Sequence, residues 1–311
     1  MAMKRRDFIR NSVGFGVLSG AALSMGRFGD LMAAESSSMQ LPYDFVAIKG
    51  GEAAAMFDKG IASLGGMKQF VKPNQTVVVK PNIGWDSAPE RAANTNPELV
   101  ARIVEQCKMA GAKTVYVFDN TCAEGTRCYK MSGIEDAVKK AGGTMVSGRS
   151  ESYYQAVTLP KSKRLKNARV HELILESDVF INVPTLKSHG GAALSVCMKN
   201  MMGVVWDREY WHGNDLHQCI ADFSAYRKPD LNVVDAFRVL KRNGPRGVSV
   251  ADVVTMKYQL IGKDMVALDT ASAKVFGIDP VKVKHISLAE QLGVGSSNID
   301  AMKVNRITMG A

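Results

Sequence analysis

Short apolar runs alternate along the chain with longer segments whose apolar residues recur every three or four positions. Residues 76–80 form a continuous run rich in β-branched side chains, which is typical of a strand buried on both faces of a parallel sheet. Residues 97–110 have the helical period, with Asn96 as an N-cap and Gly111 at the end. Residues 113–118 predict the next strand. The three segments together predict a β-α-β unit whose two strand ends meet at one sheet edge.

This alternation continues to the end of the chain. The predicted strands are 45–48, 76–80, 113–118, 144–146, 179–183, 231–234 and 258–261, and the predicted helices are 53–64, 97–110, 134–141, 170–176, 195–203 and 265–276. No repeat or proline-rich linker divides residues 45–311. We therefore predict a linker over 35–44, then a single α/β domain over 45–311: three layers, a mostly parallel sheet with helices on both faces.

The first 34 residues have the form of an export signal. Arg5 and Arg6 precede a hydrophobic residue, and a weakly apolar run follows over residues 13–25. This is the pattern of a twin-arginine signal, and the run is less apolar than a membrane anchor. We predict a periplasmic protein exported by the twin-arginine translocase. Cleavage near residues 32–34 or retention as an uncleaved tether both remain open, and any membrane contact is expected only through this segment.

Composition and charge narrow the class of protein. The 311 residues are 46% hydrophobic and 23% charged, which fits a globular domain and excludes collagen, wholesale disorder and a protein with many membrane spans. The formal net charge of +10 favours anionic partners. No basic motif is interleaved with aromatic residues, so we do not expect nucleic acid as a partner. The basic residues between 161 and 169 are interpreted as a solvated loop and the start of a helix.

The five cysteines argue against a simple metal or disulfide framework. An odd number in an oxidising compartment leaves at least one thiol free, bound or reactive; the cysteines are Cys107, Cys122, Cys128, Cys197 and Cys219. No C-x-x-C pair occurs, so a zinc ion or an iron–sulfur cluster would need ligands from distant segments. Cys122 and Cys128 could form a disulfide across a short loop, which is the favoured structural interpretation of that pair, but the pairing of the cysteines stays open. A metal or cluster cofactor remains open because the export route often serves proteins that carry one.

Polar segments follow three of the predicted strands, at 80–84, 119–121 and 184–191. Ligands of open α/β folds bind beyond the carboxyl ends of the strands, and lysine and amide groups there would bind a carboxylate or a phosphate. A lysine among like charges has a lowered pKa and can act as a base or nucleophile. We predict Lys187, His189 and Lys199 as catalytic residues, and Lys80, Asn82, Asp119, Thr185 and Asn200 as ligand-binding residues. The alternative is that each lysine pairs with a carboxylate, such as Asp222 or Asp235, and fastens a loop.

Histidines offer a proton-transfer group and a weak metal hypothesis. His189 could carry a proton near neutral pH, or coordinate a metal if another ligand converged on it. His217 and Cys219 are two positions apart, a spacing that suits a metal pair on a loop or strand but not on one helix face. Asp215 has the character of a helix cap, so a structural or site-lining role for His217 is the favoured interpretation.

Common catalytic motifs are absent from the sequence. There is no G-x-x-x-x-G-K-[ST] phosphate loop, no G-x-G-x-x-G after a strand, no G-x-S-x-G elbow and no H-E-x-x-H. Familiar nucleotide-binding, lipase-type and metalloprotease functions therefore lose most of their support.

Several separated motifs, in this order, resemble domain-of-unknown-function family 362. They are residues 79–82 (VKPN), 94–97 (NTNP), 181–189 (INVPTLKSH), 199–203 (KNMMG), 229–235 (PDLNVVD) and 268–270 (LDT). The resemblance implies an α/β fold and adds Asp235 and Asp269 to the site residues Lys80, Asn82, Lys187, His189, Lys199 and Asn200. Members of the family are often joined to ferredoxin-type iron–sulfur modules. This chain has no such cysteine-rich segment, and the family name implies no general activity.

Two hypotheses of different class result. In the first, the protein is an enzyme that holds an anionic substrate or cofactor between lysines and uses His189 or a lysine for proton transfer. In the second, it is a non-catalytic redox accessory, or an electron-transfer partner associated with an iron–sulfur protein.

Overall fold

Successive side chains of the strands lie in two separate hydrophobic cores. The computed structural model describes residues 40–310. In its first strand, Phe45 and Ala47 belong to one buried apolar cluster, while Val46 and Ile48 belong to the other. Since successive side chains of a strand point to opposite faces, the sheet is covered on both sides. The predicted signal segment and residues 35–39 of the predicted linker lie outside the described residues.

Twelve strands and ten α-helices occur in residues 40–310. The strands are β1 (Phe45–Lys49), β2 (Thr76–Pro81), β3 (Thr114–Val117), β4 (Thr144–Met145), β5 (Tyr154–Thr158), β6 (Asn167–His171), β7 (Val179–Val183), β8 (Thr185–His189), β9 (Ala193–Ser195), β10 (Leu231–Leu240), β11 (Val253–Gly262) and β12 (Val304–Thr308). The helices are α1 (Ala53–Ser63), α2 (Pro97–Met109), α3 (Gly125–Met131), α4 (Ile134–Lys140), α5 (Glu172–Glu176), α6 (Cys197–Asn200), α7 (Glu209–Gly213), α8 (Leu216–Tyr226), α9 (Met265–Phe276) and α10 (His285–Gln291).

One large sheet of ten strands organises these elements. Its main path runs β12-β1-β11-β10-β7-β2-β3-β4, and along this path only β11 runs against the other strands. Beside the path, β8 pairs parallel with β10 and antiparallel with β9. A separate antiparallel pair is formed by β5 and β6. The fold is therefore α/β with a mixed, mostly parallel sheet, as predicted.

Helices cover both faces of this sheet. Buried residues of α1 to α4 share one core with the inward side chains of β2, and buried residues of α5 to α10 share the other. The predicted caps are present: the side chains of Asn96 and Asp215 each accept a backbone N–H in the first turn of α2 and α8. Asp264 caps α9 in the same way. The three-layer prediction is confirmed.

Some predicted elements are wrong. Residues 170–176 do not form one helix, because Val170 is paired within β6 and the His171 side chain caps α5 instead. The basic residues after Lys161 therefore lead into a strand rather than a helix. The polar segment 184–191, for which no strand was predicted, contains β8. This strand pairs with β10 and with β9. The predicted helix 195–203 is a short α6 followed by a 3-10 turn.

The contacts within the chain group Leu41 and the residues after it into one compact unit. Within the described residues, none of the helices has the length and apolar character needed to cross a membrane.

Candidate functional site

A pocket of about 310 Å³ opens beyond the carboxyl ends of β2 and β3, beside β8 and α6. We call it the strand-end pocket. Its position agrees with the rule that open α/β sheets bind ligands outside the carboxyl ends of their strands. The lining residues are Lys80, Asn82, Gly84, Trp85, Asp119, Asn120, Cys122, Lys187, His189, Ser195, Lys199, Asn200, Met202, Gly203, Arg208, His212 and Pro245.

Lys80 is fully buried at the end of β2 and is held on three sides. Its Nζ lies 2.9 Å from Asp119 Oδ1, at the end of β3. It also donates to the backbone oxygen of Asn200 at 2.7 Å and to Asn200 Oδ1 at 2.8 Å. Burial lowers the pKa of Lys80, and the charge of Asp119 acts in the opposite direction. The crossover geometry thus places the two strand ends together, and this lysine has a carboxylate partner.

Buried amides continue this arrangement beneath the pocket. Asn200 Nδ2 donates to Asn182 Oδ1 at 2.8 Å, and Asn182 Nδ2 donates to Asn232 Oδ1 at 2.9 Å. Asn232 in turn donates to the backbone oxygen of Lys263. Each amide is buried and each fixes the orientation of the next. A satisfied buried network of this kind rigidifies the site around Lys80.

Gly203 makes the close approach of Lys80 and Asp119 feasible. A Cβ placed on Gly203 would lie 1.9 Å from Asp119 Oδ1 and 2.5 Å from Lys80 Nζ. Both distances are far inside van der Waals contact, and both atoms belong to buried side chains. Only glycine at this position therefore leaves room for the ion pair.

Lys187 is as buried as Lys80, but no carboxylate in the described part of the chain pairs with it. Its side chain, 2% exposed on β8, donates to Asn82 Oδ1 at 2.8 Å and to the backbone oxygen of Ala93. Burial lowers the pKa of Lys187 to about 7, and the positive charge of Lys199 acts in the same direction. At neutral pH this lysine can therefore both release and accept a proton.

Lys199 reaches the pocket from α6. Asp269 anchors this helix by accepting the backbone N–H of Cys197 at 2.8 Å and that of Met198 at 3.3 Å. Within residues 40–310 no group hydrogen-bonds or ion-pairs with the Lys199 ammonium group. Burial lowers the pKa of Lys199 to about 8, and the charge of Arg208 adds to this effect. The pocket therefore contains a second cation without a protein counter-ion.

His189 lies at the end of β8 with one ring nitrogen occupied. Its Nδ1 accepts the backbone N–H groups of Gly191 and Ala192, each at 3.1 Å, so the ring proton resides on Nε2. Burial and then the charge of Lys199 lower its pKa to about 3. The ring stacks on His212, with centroids 6.1 Å apart. His189 is therefore neutral near pH 7, contrary to the expectation that it carries a proton there, and it offers a neutral N–H donor.

Arg208 holds the segment after β3 against the pocket. Its guanidinium donates to the backbone oxygens of Asn120 and Thr121. These carbonyls keep the Arg208 charge at the rim, next to Cys122, whose side chain is exposed. The pocket thus has four cationic side chains but only the Asp119 carboxylate, a charge balance that favours an anion.

The structure separates the predicted site residues into two groups. Seven line the strand-end pocket: Lys80, Asn82, Asp119, Lys187, His189, Lys199 and Asn200. The other three are buried and do not line it. Asp269 positions α6, as described above, and the Thr185 hydroxyl is buried without a hydrogen-bond partner. Asp235 accepts the backbone N–H groups of Asn96 and Phe237, and burial raises its pKa to about 6.

The alternative in which carboxylates pair with each lysine is wrong for Asp222 and Asp235. The Asp222 carboxylate accepts the backbone N–H groups of residues 163–165 and a side-chain N–H of Gln218. Asp235 accepts only backbone N–H groups. Of the three predicted site lysines, Lys80 alone pairs with a carboxylate of the described residues, and that partner is Asp119.

The metal candidates do not converge. His217 and Cys219 lie on α8, where His217 Nδ1 is 3.2 Å from His285 Nδ1 and the Cys219 thiol contacts the backbone oxygen of Asn214. Across residues 40–310, no group of three or more His, Cys, Asp or Glu side chains is placed to hold a metal ion. The described residues therefore do not fit a zinc ion or an iron–sulfur cluster.

The predicted disulfide is also wrong, because all five cysteines are free. Cys122 is exposed at the pocket, whereas Cys128 is buried on α3. The Cys128 thiol instead approaches the backbone oxygen of Gly84 at 3.7 Å.

Sequence reasoning missed several pocket residues, and the signals differ. Asn120 and Cys122 belong to or adjoin the polar segment after β3, so the strand-end rule could have included them. Gly203 ends the motif 199–203, where a glycine among apolar residues marks a close backbone approach. Arg208 and His212 come from a segment with no strand end or motif, and only the folded chain brings them to the pocket.

Comparisons with known proteins give a family and a relative. The family model described as a domain of unknown function, DUF362, matches residues 77–274. The thylakoid-associated protein sll1697 of Synechocystis sp. is 25% identical over 254 residues, which are 79% of this chain and 77% of that protein. The matched region contains every residue that lines the strand-end pocket.

Two solved structures show a loose likeness. A structural-genomics protein from Thermotoga maritima aligns with a TM-score of 0.45 at 10% identity, over 76% of this chain and 59% of that one. The lactate racemase apoprotein from Thermoanaerobacterium thermosaccharolyticum aligns with a TM-score of 0.38 at 13% identity, over 68% of this chain and 53% of that one. This chain thus spans less than two thirds of each, and neither likeness identifies a reaction.

Proposed function

The chain belongs to the DUF362 family, and we propose that it is an enzyme that binds a small organic anion in the strand-end pocket. One observation carries the proposal: among residues 40–310, Lys187 and Lys199 face this pocket without a carboxylate partner, while Lys80 beside them is ion-paired. Burying a cation without a counter-ion costs free energy. A carboxylate or phosphate bound between the two lysines would supply the missing charge.

The chemistry assigned to each group follows from its surroundings. Lys199, with no protein hydrogen bond, is the primary anion contact. Lys187 is fixed by Asn82 and Ala93, and its pKa of about 7 suits it to proton transfer at neutral pH. His189 contributes a neutral Nε2–H donor to a developing negative charge. Lys80 and Asp119 form a rigid base beneath these groups.

Anion binding should depend on pH with a definite sign. A bound anion favours the protonated form of both lysines, so binding takes up protons wherever the free lysines are partly deprotonated. With pKa values of about 7 and about 8 in the free protein, affinity is highest below about pH 7. It falls by about tenfold for each pH unit above the pKa of each lysine that must be protonated.

Calorimetric titration with oxalate and with inorganic phosphate tests the proposal. We expect binding of at least one anion at about pH 6, weaker binding at about pH 9, and none of the neutral analogue oxamide. Lys199→Met should weaken anion binding by about tenfold or more, the usual loss for a charge-assisted hydrogen bond.

Lys282→Met is the matched control. It removes the same charge from an exposed lysine outside the pocket, so a loss of affinity in this variant would indicate a general charge effect. Absence of binding by both anions at acidic pH, or equal weakening by the two variants, would overturn the proposed anion pocket.

We also propose export by the twin-arginine pathway to the periplasm, supported by Arg5 and Arg6 ahead of a weakly apolar run. Changing both arginines to lysine should abolish periplasmic accumulation in cell fractionation. Arg10→Lys leaves the pair intact and serves as the control. Undiminished periplasmic protein in the double variant would contradict the proposal.

A further inference from the structure

We propose that Cys122 is the nucleophile of the strand-end pocket and that the anion is a carbonyl compound, such as a 2-oxo acid or an aldehyde acid. This inference rests on the proposed anion pocket. It adds the reacting atom and narrows the class of substrate.

Cys122 differs from the other four cysteines in its exposure. Cys107, Cys128, Cys197 and Cys219 are buried, whereas Cys122 is exposed and lines the pocket. Burial raises the pKa of each of the four buried thiols and keeps reagents away from them. Cys122 is therefore the thiol that a molecule in the strand-end pocket can reach.

Backbone contacts fix Cys122 close to Asn82, the side chain that accepts a hydrogen bond from Lys187. The N–H groups of Cys122 and Ala123 both donate to the Gly84 oxygen, at 2.9 and 3.1 Å. A Cβ built on Gly84 would lie 3.6 Å from Cys122 Sγ and 3.8 Å from Asn82 Oδ1. Asn82 Oδ1 accepts the Lys187 ammonium group at 2.8 Å. The sulfur and the Lys187 acceptor thus border the same small space above Gly84, which has no side chain of its own.

The charges around Cys122 are those that favour reaction with an anion. A thiolate at Cys122 raises the pKa of Lys187 and of Lys199, against the larger lowering that burial causes. The three groups are therefore coupled electrostatically across the pocket. Arg208 adds a fourth member, because it is bound to the oxygen of Thr121, the residue before Cys122. The same cations attract an anionic substrate toward the sulfur.

The covalent step balances without an added oxidant or reductant. The substrate carboxylate binds Lys199, and the Cys122 thiolate sulfur forms a bond to the carbonyl carbon. The electron pair of the broken C=O π bond moves to the carbonyl oxygen, which takes a proton from the Lys187 ammonium group. The product is a hemithioacetal or hemithioketal, with Lys187 left neutral to act as a base in the next step.

Competing alkylation reactions test whether the anion pocket governs this thiol. We compare the rate constants of Cys122 with iodoacetate and with neutral iodoacetamide, using peptide mass spectrometry to locate the label. An ordinary exposed thiolate reacts more slowly with the anionic reagent. In this protein we expect the preference to reverse, with an iodoacetate to iodoacetamide ratio raised about tenfold over that of the unfolded chain.

Two variants show whether the pocket causes that preference. Lys199→Met should return the ratio to that of the unfolded chain. Gly84→Ala should slow both reagents, because its methyl group would occupy the space between Cys122 and Asn82 at ordinary contact distance. A wild-type protein that reacts faster with iodoacetamide, or a preference that survives Lys199→Met, would overturn the assignment of Cys122.

Carbon-13 NMR with carbonyl-labelled glyoxylate tests the substrate class. We expect a signal from a sulfur-bound tetrahedral carbon that is distinct from the hydrate and is absent in Cys122→Ser. Its absence in the wild type, or an adduct that cyanoborohydride traps on a lysine, would contradict attack by sulfur. The oxalate titration separates the two proposals: if oxalate binds and neither thiol signature appears, only the role of Cys122 fails.

Discussion

Lys80 and Lys187 lie on adjacent parts of one pocket, yet their surroundings differ in kind. We call Lys80, Asp119, Asn200 and Gly203 the Lys80 region, and Lys187, Lys199, Asn82 and Cys122 the Lys187 region. The Lys80 region is closed, because its ammonium group has a carboxylate at 2.9 Å and two oxygens of one asparagine. In the Lys187 region, Lys187 donates only to neutral oxygens, and Lys199 has no hydrogen-bond or ion-pair partner among residues 40–310.

The difference separates a structural role from a functional one. A buried lysine is stabilised when its charge is compensated, and the Lys80 region meets that condition within the chain. The Lys187 region does not, so the folded protein tolerates an unfavourable group there. Sites that break a local rule of stability in this way are where function is expected. We therefore assign a structural role to Lys80, and the binding and chemistry of the ligand to Lys187 and Lys199.

The largest effect on stability is expected when the ion pair between Lys80 and Asp119 is separated. Gly203→Ala places a methyl group against Asp119 and Lys80, and we expect a loss of about 3–5 kcal/mol in the free energy of unfolding, as for other broken buried ion pairs. Chemical denaturation measures it. Gly213→Ala, where an added Cβ meets nothing within 4 Å, should change the free energy of unfolding by far less, and equal losses in both variants would contradict the role of Gly203.

A second test compares pH dependence between wild type and Lys187→Met. The pKa of Lys187 is lowered from 10.5 to about 7 in the folded state, so between these values the unfolded chain binds more protons and wild-type stability rises with pH. The gain is of order 3 kcal/mol between about pH 7 and pH 10.

Lys187→Met lacks this gain, so the wild type should become more stable relative to the variant as pH rises over that window. Urea unfolding of both proteins at several pH values gives the difference. A difference that stays constant with pH would show that Lys187 has an ordinary pKa in the folded protein.

Asn82 joins the two regions, since its Oδ1 accepts from Lys187 and its Nδ2 donates to Asn200 Oδ1 at 3.2 Å. Asn82→Ala should lower the free energy of unfolding by about 1–2 kcal/mol, and it should lower the pKa of Lys187 further by removing an acceptor of its ammonium group. Denaturation and NMR titration measure the two effects. Asn305→Ala, at a half-buried amide without a side-chain hydrogen bond, is the control; an unchanged Lys187 pKa in Asn82→Ala would contradict the coupling.

The smallest effect on stability is expected for Cys122→Ser, which tests whether Cys122 takes part in binding the anion. Cys122→Ser alters an exposed side chain, so we expect the free energy of unfolding to change by less than about 0.5 kcal/mol. Oxalate affinity should remain within about twofold of wild type, because the two lysines remain. Calorimetry and denaturation check both. A large loss of affinity would indicate that Cys122 helps to bind the anion instead of reacting with it.

Sequence patterns predicted most of the fold and much of the pocket for a physical reason. The β-branched run of β2 and the capped helix after it determine a β-α-β crossover, and the crossover alone brings Lys80 to Asp119. The crossover geometry also determines the positions of residues next to the strand ends. That is why Asn82, Lys187 and His189 lie where the sequence placed them.

The remaining pocket residues depend on contacts that no local pattern encodes. Lys80 and Lys187 both lie on strands and are both buried. Only Lys80 meets Asp119, where Gly203 leaves room for the ion pair. The neutral state of His189 depends on two backbone N–H groups in the following turn. Cys122 was placed in a disulfide because spacing shows proximity in sequence but not the direction of a side chain.

The pKa of Lys187 with and without a bound anion decides whether the strand-end pocket binds an anion. Carbon-13 NMR of Cε-labelled lysine, with Lys187 assigned by its loss in Lys187→Met, gives the value in each state. We expect a pKa of about 7 for Lys187 in the free protein and a rise of about one unit or more when oxalate or phosphate saturates the pocket. A Lys187 pKa near 10.5, or a pKa that neither anion changes, would contradict the claim that this pocket binds an anion.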